Sequence, residues 1–514
     1  MKRLIFCFDG SWNKINTDNL TNVALTAAAI GRSQTVETTD EKLIDRGLMV
    51  GEVIPQIVHY DEGVGTNRKD KYGGGIFGKG LYENVREAYI FLCLNYEPGD
   101  ELYLFGFSRG AYTARSFAGL VGNCGIMRGE HIEKVIEAAS LYKERGEART
   151  QEDRESLQER LFTLIRHYGH PVTTCEAEAE WKRCKHGLED HNHPMVDIRF
   201  IGLWDTVKTT PTLRNMFGMY DPDTEFHDEN IPECASSGRH AVALDEHRAS
   251  FDVTLWDNIE EANRAAMGRL GGAKKYEDYE VDRERAFQEV WFPGTHGAVG
   301  GGGERRGLSD TALLWVLDGA REQGLQINTD AESKVFKLQP TPIDYLDNTK
   351  HDGAMEAISD MKKKVKGPFI RIGPSGLHEV SDSTIARMAA PASVLPVEEE
   401  RDKDAQYRPA ALRKLTVIVE TEANQRFTLE DFDLYNGYAD SDFEVMQDRK
   451  KIEGWNYGLY TVKKDDRLSD IALSELGNDN WRALQAVNKV MVPDPDRVHP
   501  GQVLSIPILD RLYT

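Results

Sequence analysis

Three short stretches of almost unbroken apolar residues, Arg3–Phe8, Glu101–Phe107 and 196–204, alternate with longer segments whose apolar positions recur every three or four residues. A short continuous apolar run suits a strand buried on both faces, and the wider spacing suits a helix lying on a sheet. Helices are expected over 82–95 and 111–121. Strand and helix in alternation predict an α/β fold, a mostly parallel sheet with helices on both faces. The charged stretch 132–166 keeps a helical period and reads as a helical insertion over the sheet, in the place of a lid. Further on, Phe287–Phe292 reads as a strand, 309–322 as an amphipathic helix and 415–420 as another strand. Residues 389–404 mix Pro and Ala with a run of charges, the composition of an exposed linker.

Length and charge narrow this picture. A chain of 514 residues exceeds one ordinary core, so a large domain with a smaller one is expected. No apolar run is long enough to span a bilayer. A net charge of −22 argues against the nucleic-acid backbone as a partner, because phosphate binding draws its affinity from clustered Lys and Arg. The first ten residues reach Asp9 too soon to hold a signal-peptide core and read as a first strand. The six cysteines are scattered and mostly flanked by apolar residues, which suits reduced, buried thiols. A cytoplasmic protein is expected, reaching any outside site by a route that cleaves no signal.

The sharpest chemical signal lies at the end of the Glu101–Phe107 run, where Gly106-Phe107-Ser108-Arg109-Gly110 spells G-x-S-x-G between a strand and a helix. Such an elbow lifts a serine hydroxyl above the sheet, and the first N–H groups of the following helix face the place where an oxyanion develops. Ser108 is the candidate nucleophile and the Arg109 N–H the first oxyanion donor. Gly10, in the loop after the first strand, permits close backbone approach and is the candidate second donor. A serine needs a base and the base an orienting acid. Asp205 ends the 196–204 strand, and His296 follows Phe287–Phe292 through a Pro-Gly turn. The order Ser108, Asp205, His296 is that of α/β-hydrolases. Asp245, Asp252 and Asp257 remain substitutes for Asp205.

Two further clusters carry no chemistry of their own. The glycine-rich Gly73–Gly80 segment places Lys79 as a P-loop would, but Gly80 stands where a Mg²⁺-binding hydroxyl is required and no strand leads into it. It reads as a flexible loop beside the site. Cys175, Cys184, His186, His191 and His193 match no standard zinc spacing, so a solvated polar insertion is expected and no metal or other cofactor.

In combination, Phe8-Asp9-Gly10-Ser11-Trp12-Asn13, Gly63-Val64-Gly65-Thr66, Pro98-Gly99-Asp100, the elbow, Trp204-Asp205-Thr206-Val207, Ala243-Leu244-Asp245-Glu246 and Trp291-Phe292-Pro293-Gly294 resemble one family. It is the α/β-hydrolase-like family, once catalogued as a domain of unknown function, that includes the Tle-type phospholipase effectors of type VI secretion. The resemblance covers roughly residues 1–410 and ends near Tyr407-Arg408-Pro409. It implies a lipid-ester hydrolase with Ser108 as nucleophile, His296 as base and Asp205 as its partner. One departure stands out: the family usually continues its histidine with Ser-Asp-Val-Gly-Gly, and this chain has Gly297-Ala298-Val299-Gly300-Gly301. Residues 456–510, with Leu468-Ser469-Asp470-Ile471-Ala472, Trp481, Asn488 and Pro500-Gly501-Gln502, resemble the LysM module, a small βααβ domain. That resemblance implies binding of peptidoglycan or another N-acetylglucosamine glycan, through a loop that here carries Asp466, together with Asn488. Asp466 is also placed to cap the module's first helix. Residues 411–455 then form the linker.

These readings converge on a serine-dependent lipid esterase, a phospholipase that touches a membrane from its surface and needs no cofactor. As a type VI effector it would have antibacterial action, with a secretion apparatus and an immunity protein as partners. The alternative is a glycan-binding or assembly protein whose hydrolase domain is weakly active or inactive, which the altered residues after His296 motivate.

Overall fold

The computed structural model describes residues 1–10, 19–40, 43–44, 47–63, 76–147, 150–186, 193–207, 230–269, 285–328, 338–348, 369–374, 379–390, 394–396, 407, 409–412, 419–420, 426–427, 457–463, 466–476, 498 and 503–507. Seven strands form a mostly parallel mixed sheet with helices on both faces: β1 (Arg3–Phe8), β2 (Ser33–Thr35), β3 (Val53–Asp61), β4 (Glu101–Phe107), β5 (Asp197–Trp204), β6 (Gly238–Ala243) and β7 (Phe287–Phe292), in the order β2-β3-β1-β4-β5-β6-β7. β1 pairs parallel to both β3 and β4, β4 pairs parallel to β5, and only the short edge strand β2 is shown to run antiparallel to its neighbour, β3. Every residue of β1 and β4 is buried, as their unbroken apolar character requires of central strands. The exceptions, Arg3 and Glu101, face each other in register and pair at 3.1 Å, with Arg3 also donating to Gln34 and Gln56. Two buried charges thus satisfy one another at the start of the strands, the end opposite Ser108.

Backbone contacts divide the chain into two compact units, and the boundary passes through β6, between His240 and Ala241. The first unit holds β1 to β5, the start of β6, residues 253–270 and residues 314–337. Its helices include α1 (Asn22–Ala29), α2 (Ile76–Asn95), α3 (Arg109–Cys124), α4 (Val135–Glu147), α5 (Gln151–Tyr168), α6 (Glu176–His186) and α7 (Ile259–Arg269). α3 packs back against β4, its own preceding strand.

The second unit holds residues 241–252, 271–313 and 338–514, and with them the end of β6, β7 and a single-turn helix α8 (His296–Gly300). Helix α10 (Asp382–Ala389) docks on β7 through the Ser381 N–H and the Thr384 hydroxyl, both donating to the Trp291 carbonyl at 3.0 and 3.1 Å. Arg387, fully buried, donates to the carbonyls of Pro342 and Asp344 and lies over the Tyr407 ring. Helix α9 (Gly307–Glu322) begins two residues earlier than its apolar period indicates and straddles the boundary. Near the C-terminus β10 (Tyr457–Thr461) pairs antiparallel with β11 (Val503–Pro507), and α11 (Leu468–Leu476) completes a separate core of Val462, Leu468, Ile471, Ala472 and Leu504.

Several expectations shift. The insertion at 132–166 is helical, as expected, and divides into two helices: a 3-10 turn at Gly129–Lys134 precedes α4, and α5 starts afresh because Thr150 and Asp153 form a reciprocal capping box. The supposed glycine-rich loop is in part helix, since Ile76 to Gly80 open α2; residues 64–75 lie outside the described residues. Of the strand expected at 415–420 the described part is β8 (Val419–Glu420), paired with β9 (Arg426–Phe427). Strands β2, β3 and β6 and helices α1, α6, α7, α8 and α10 had no counterpart in the periodicity, and α6 occupies much of the stretch read as a solvated polar insertion. Of the six cysteines, Cys7, Cys93, Cys124 and Cys234 are buried, Cys175 is half-buried and Cys184 exposed.

Candidate active site

Ser108 sits where β4 passes into α3, with φ 59° and ψ −125°, and Asp205 follows β5 with φ 41°. They are the two non-glycine residues with positive φ among the described residues. This conformation crowds a Cβ against the backbone and persists only where the surroundings enforce it. The enforcing contacts are visible. The Ser108 N–H donates to the Trp204 carbonyl at 3.0 Å, the Val207 N–H reaches the Ser108 carbonyl at 3.4 Å, and the Thr206 N–H donates to Nε2 of the buried His240 at 3.1 Å. The two strand ends are therefore laced together on either side of Asp205. Ser108 is 7% exposed and Asp205 fully buried.

The glycines of the elbow answer to space. A Cβ on Gly106 would lie 2.6 Å from Ala111 Cα, and one on Gly110 would lie 2.2 Å from the Phe8 carbonyl oxygen and 2.4 Å from that of Asp9. A Cβ on Gly63 would likewise stand 2.5 Å from the Asp9 carbonyl oxygen and 2.7 Å from that of Gly10. The chain leaving β1 thus approaches two glycines too closely for either to carry a side chain. Its Asp9 carboxylate accepts the Gly10 N–H at 2.6 Å on Oδ1 and the hydroxyls of Thr21 and Tyr60 at 2.6 and 2.7 Å on Oδ2. Gly10, the expected second oxyanion donor, is placed in this loop with its N–H turned to Asp9. Arg109 opens α3, so its N–H lies at the positive end of the helix; burial lowers its guanidinium to about 10.

In the second unit the chain after β6 grips the loop after β7. The Leu244 N–H donates to the Phe292 carbonyl, Asp245 exchanges hydrogen bonds with Gly294 in both directions, and Glu246 Oε2 accepts the His296 N–H at 3.2 Å. His296 begins α8 and is 6% exposed. Asp245, weighed as a substitute acid, also accepts the Tyr407 hydroxyl at 2.7 Å, on the same Oδ2 oxygen that takes the Gly294 N–H. Burial raises its carboxyl, against the pull of those two donors. Asp252 and Asp257 are exposed. Burial also works to raise Glu246, yet bidentate hydrogen bonds from Arg248 and the charges of Arg248, Arg371 and His296 outweigh it and hold the carboxyl at about 2. On the far side of α8, Asn348 donates to the carbonyls of Gly297 and Gly301 at 2.6 and 3.2 Å. The Ala243–Glu246 block was visible as a motif, but the roles of Glu246, Arg248 and Asn348 rest on contacts that no local pattern reveals.

In the C-terminal module Asp466 does not cap α11. Its Oδ2 accepts the Tyr460 hydroxyl at 2.8 Å and the Lys463 N–H at 2.7 Å, closing the turn before the helix. Asn488 and His191 lie outside the described residues.

A parallel sheet whose strained serine joins a strand to a helix places the chain in the α/β-hydrolase-like class. More narrowly, the family model described as "T6SS, Phospholipase effector Tle1-like, catalytic domain" matches residues 2–319, and the chain belongs to that family. A LysM domain model matches residues 460–507. "Uncharacterized protein YEL023C" of Saccharomyces cerevisiae is 28% identical over 265 residues, 49% of this chain and 32% of that protein. "Potassium binding protein Kbp" of Escherichia coli O6:H1 is 47% identical over 50 residues, 10% of this chain and 34% of that protein. The chain spans about a third of the length of these curated relatives. Two solved structures are similar over part of their length. "Structure of the Tle1 effector bound to the VgrG spike from the Type 6 secretion system" has a TM-score of 0.26 at 15% identity, covering 58% of this chain and 50% of that one. An uncharacterized protein from Pseudomonas aeruginosa has a TM-score of 0.28 at 16% identity, covering 63% and 46%. Among the described residues no helix is long and apolar enough to cross a membrane.

Proposed function

We propose that the chain is a serine-dependent phospholipase in which Ser108, Asp205 and His296 act as a triad. The observation that carries the reading is the positive φ of Ser108 and Asp205, since strain of this kind is maintained where a side chain must be presented for chemistry. His296 Nε2 takes the Ser108 hydroxyl proton as Oγ attacks the acyl carbonyl, and Asp205 orients the imidazole and stabilises its charged form. The Arg109 N–H holds the oxyanion; Gly10 joins it when its N–H exchanges Asp9 for the substrate oxygen. The imidazolium returns its proton to the leaving alcohol, and water, deprotonated by His296, then releases the fatty acid and restores Ser108.

Family membership supports a lipid substrate and a type VI secretion partner, and the LysM match supports attachment to peptidoglycan through the module bearing Asp466 and Asn488. On this reading the enzyme works at a bilayer surface after delivery, against cells lacking a cognate immunity protein. Mixed bacterial phospholipids incubated with wild type and with Ser108→Ala, followed by mass spectrometry, test it. Lysophospholipid and free fatty acid from wild type alone are expected, with turnover falling about a millionfold in the variant. Absence of products from the folded wild-type protein overturns it in favour of the assembly role.

A further inference from the structure

His296 is held in a closed ring of contacts within its own unit. Its N–H donates to Glu246 Oε2 at 3.2 Å. The Glu246 carboxylate takes both Nε and Nη2 of Arg248, at 2.8 and 2.7 Å, in a bidentate pair. The same guanidinium lies 3.8 Å from the centre of the Phe251 ring. Phe251 in turn meets the His296 imidazole edge to face, 4.9 Å between centres and tilted by 62°. Arg371 fixes the remaining corner by donating to the carbonyls of Ala243 and Phe251. Backbone and ring of the histidine are thereby tied to one side chain, Arg248, by two routes. A bidentate pair fixes the plane of a guanidinium, and a fixed cation over an aromatic face fixes that ring.

We propose that Arg248 is the positioning residue of His296, setting the imidazole's angle through Phe251 and the place of its N–H through Glu246. The proposal rests on His296 being the base of the reaction. Arg248 suits this role better than a purely structural one, because its side chain is 44% exposed while Glu246 is buried, so its removal leaves little void. Its loss frees two rotations, that of the Phe251 ring and that of the Glu246 carboxylate, and both bear on His296. A base displaced by a fraction of an ångström slows proton transfer without altering substrate binding.

The test uses full-length protein and a soluble short-chain ester. Arg248→Ala is expected to lower kcat about 100-fold, with KM within about twofold of wild type; loss of the buried Glu246 pair also lowers the thermal midpoint, so both constants are read on protein shown to be folded at the assay temperature. Arg248→Lys keeps the charge but not the fork and should recover part of kcat, and millimolar guanidinium ion should partly rescue Arg248→Ala. A fall in kcat below about threefold in folded Arg248→Ala, or loss with neither rescue, overturns the proposal. Phe251→Leu, which keeps the Arg248 pair and removes the ring contact, should lower kcat in the same way; unchanged kcat there also overturns it. Inactive Ser108→Ala and His296→Ala beside a fully active Arg248→Ala would sink this inference alone, whereas an inactive wild type would sink the triad.

Discussion

Gly110 shows how closely single atoms are specified around Ser108. Its added Cβ would fall 2.2 Å from a backbone oxygen of β1, which has no rotamer by which to retreat. Gly110→Ala should therefore destabilise by about 1–3 kcal/mol through overpacking and should also shift the elbow, read as a lower thermal midpoint together with slower labelling of Ser108 by a fluorophosphonate. Normal labelling with a normal midpoint would contradict the packing argument. Glu246 gives a prediction in pH. Its carboxyl is held at about 2, below the ordinary 4.5, so the folded state releases the proton more readily than the unfolded chain. That contribution, on the order of 3 kcal/mol, is fully present above pH 4.5 and is lost as pH falls from 4.5 towards 2. Denaturant melts of wild type and Glu246→Gln across this window should converge at the acid end and diverge above it. Parallel curves would show that the carboxylate's charge contributes nothing.

At the level of elements, legibility in sequence follows how local the determinant is. β1, β4, β5 and β7 are short apolar runs and could be placed almost to the residue, as could α3 from the elbow that precedes it. β3 was missed because Val53–Asp61 carries Pro55, Gln56 and His59, and Gln56 is buried only because its side chain is matched by Arg3, Gly31 and Gln326. The break between α4 and α5 was readable in principle, from Thr150 and Asp153 three residues apart. Helix α8 is the opposite case, since nothing near Gly297 in sequence announces Asn348. The residues after His296 depart from the usual family pattern, and the structure gives a physical reason for the glycine: a Cβ at 297 would stand 2.5 Å from Asn348 Oδ1. Gly297→Ser should thus destabilise the wild-type background and be tolerated once Asn348→Ala has removed the clash. Asn348→Ala itself should cost about 1–3 kcal/mol, because the carbonyls of Gly297 and Gly301 each lose the hydrogen bond that the Asn348 amide donates. A double-mutant cycle by urea unfolding checks the pair, and additive penalties would rule out the coupling.

For the molecule as a whole, the question is how far the C-terminal module acts apart from the catalytic chemistry. Its described core is made only of its own residues, Val462, Leu468, Ile471, Ala472 and Leu504, with Tyr460 and Val498 packed against it. Asp466 likewise bonds within the module, to Tyr460 and Lys463. A cluster closed in this way is expected to fold and fail as one unit, leaving distant elements intact. Leu504 is fully buried in it, and a carboxylate there has no partner to offset its desolvation. Leu504→Asp in the full chain should therefore abolish retention on peptidoglycan while hydrolysis of a soluble ester stays at the wild-type rate. Asp466→Ala, which opens the turn but keeps the core, should weaken retention to a lesser degree. Loss of esterase turnover in Leu504→Asp would mean that the module supports the catalytic fold. Unchanged retention would instead take glycan binding away from the module and leave the catalytic domain's own surface to account for it.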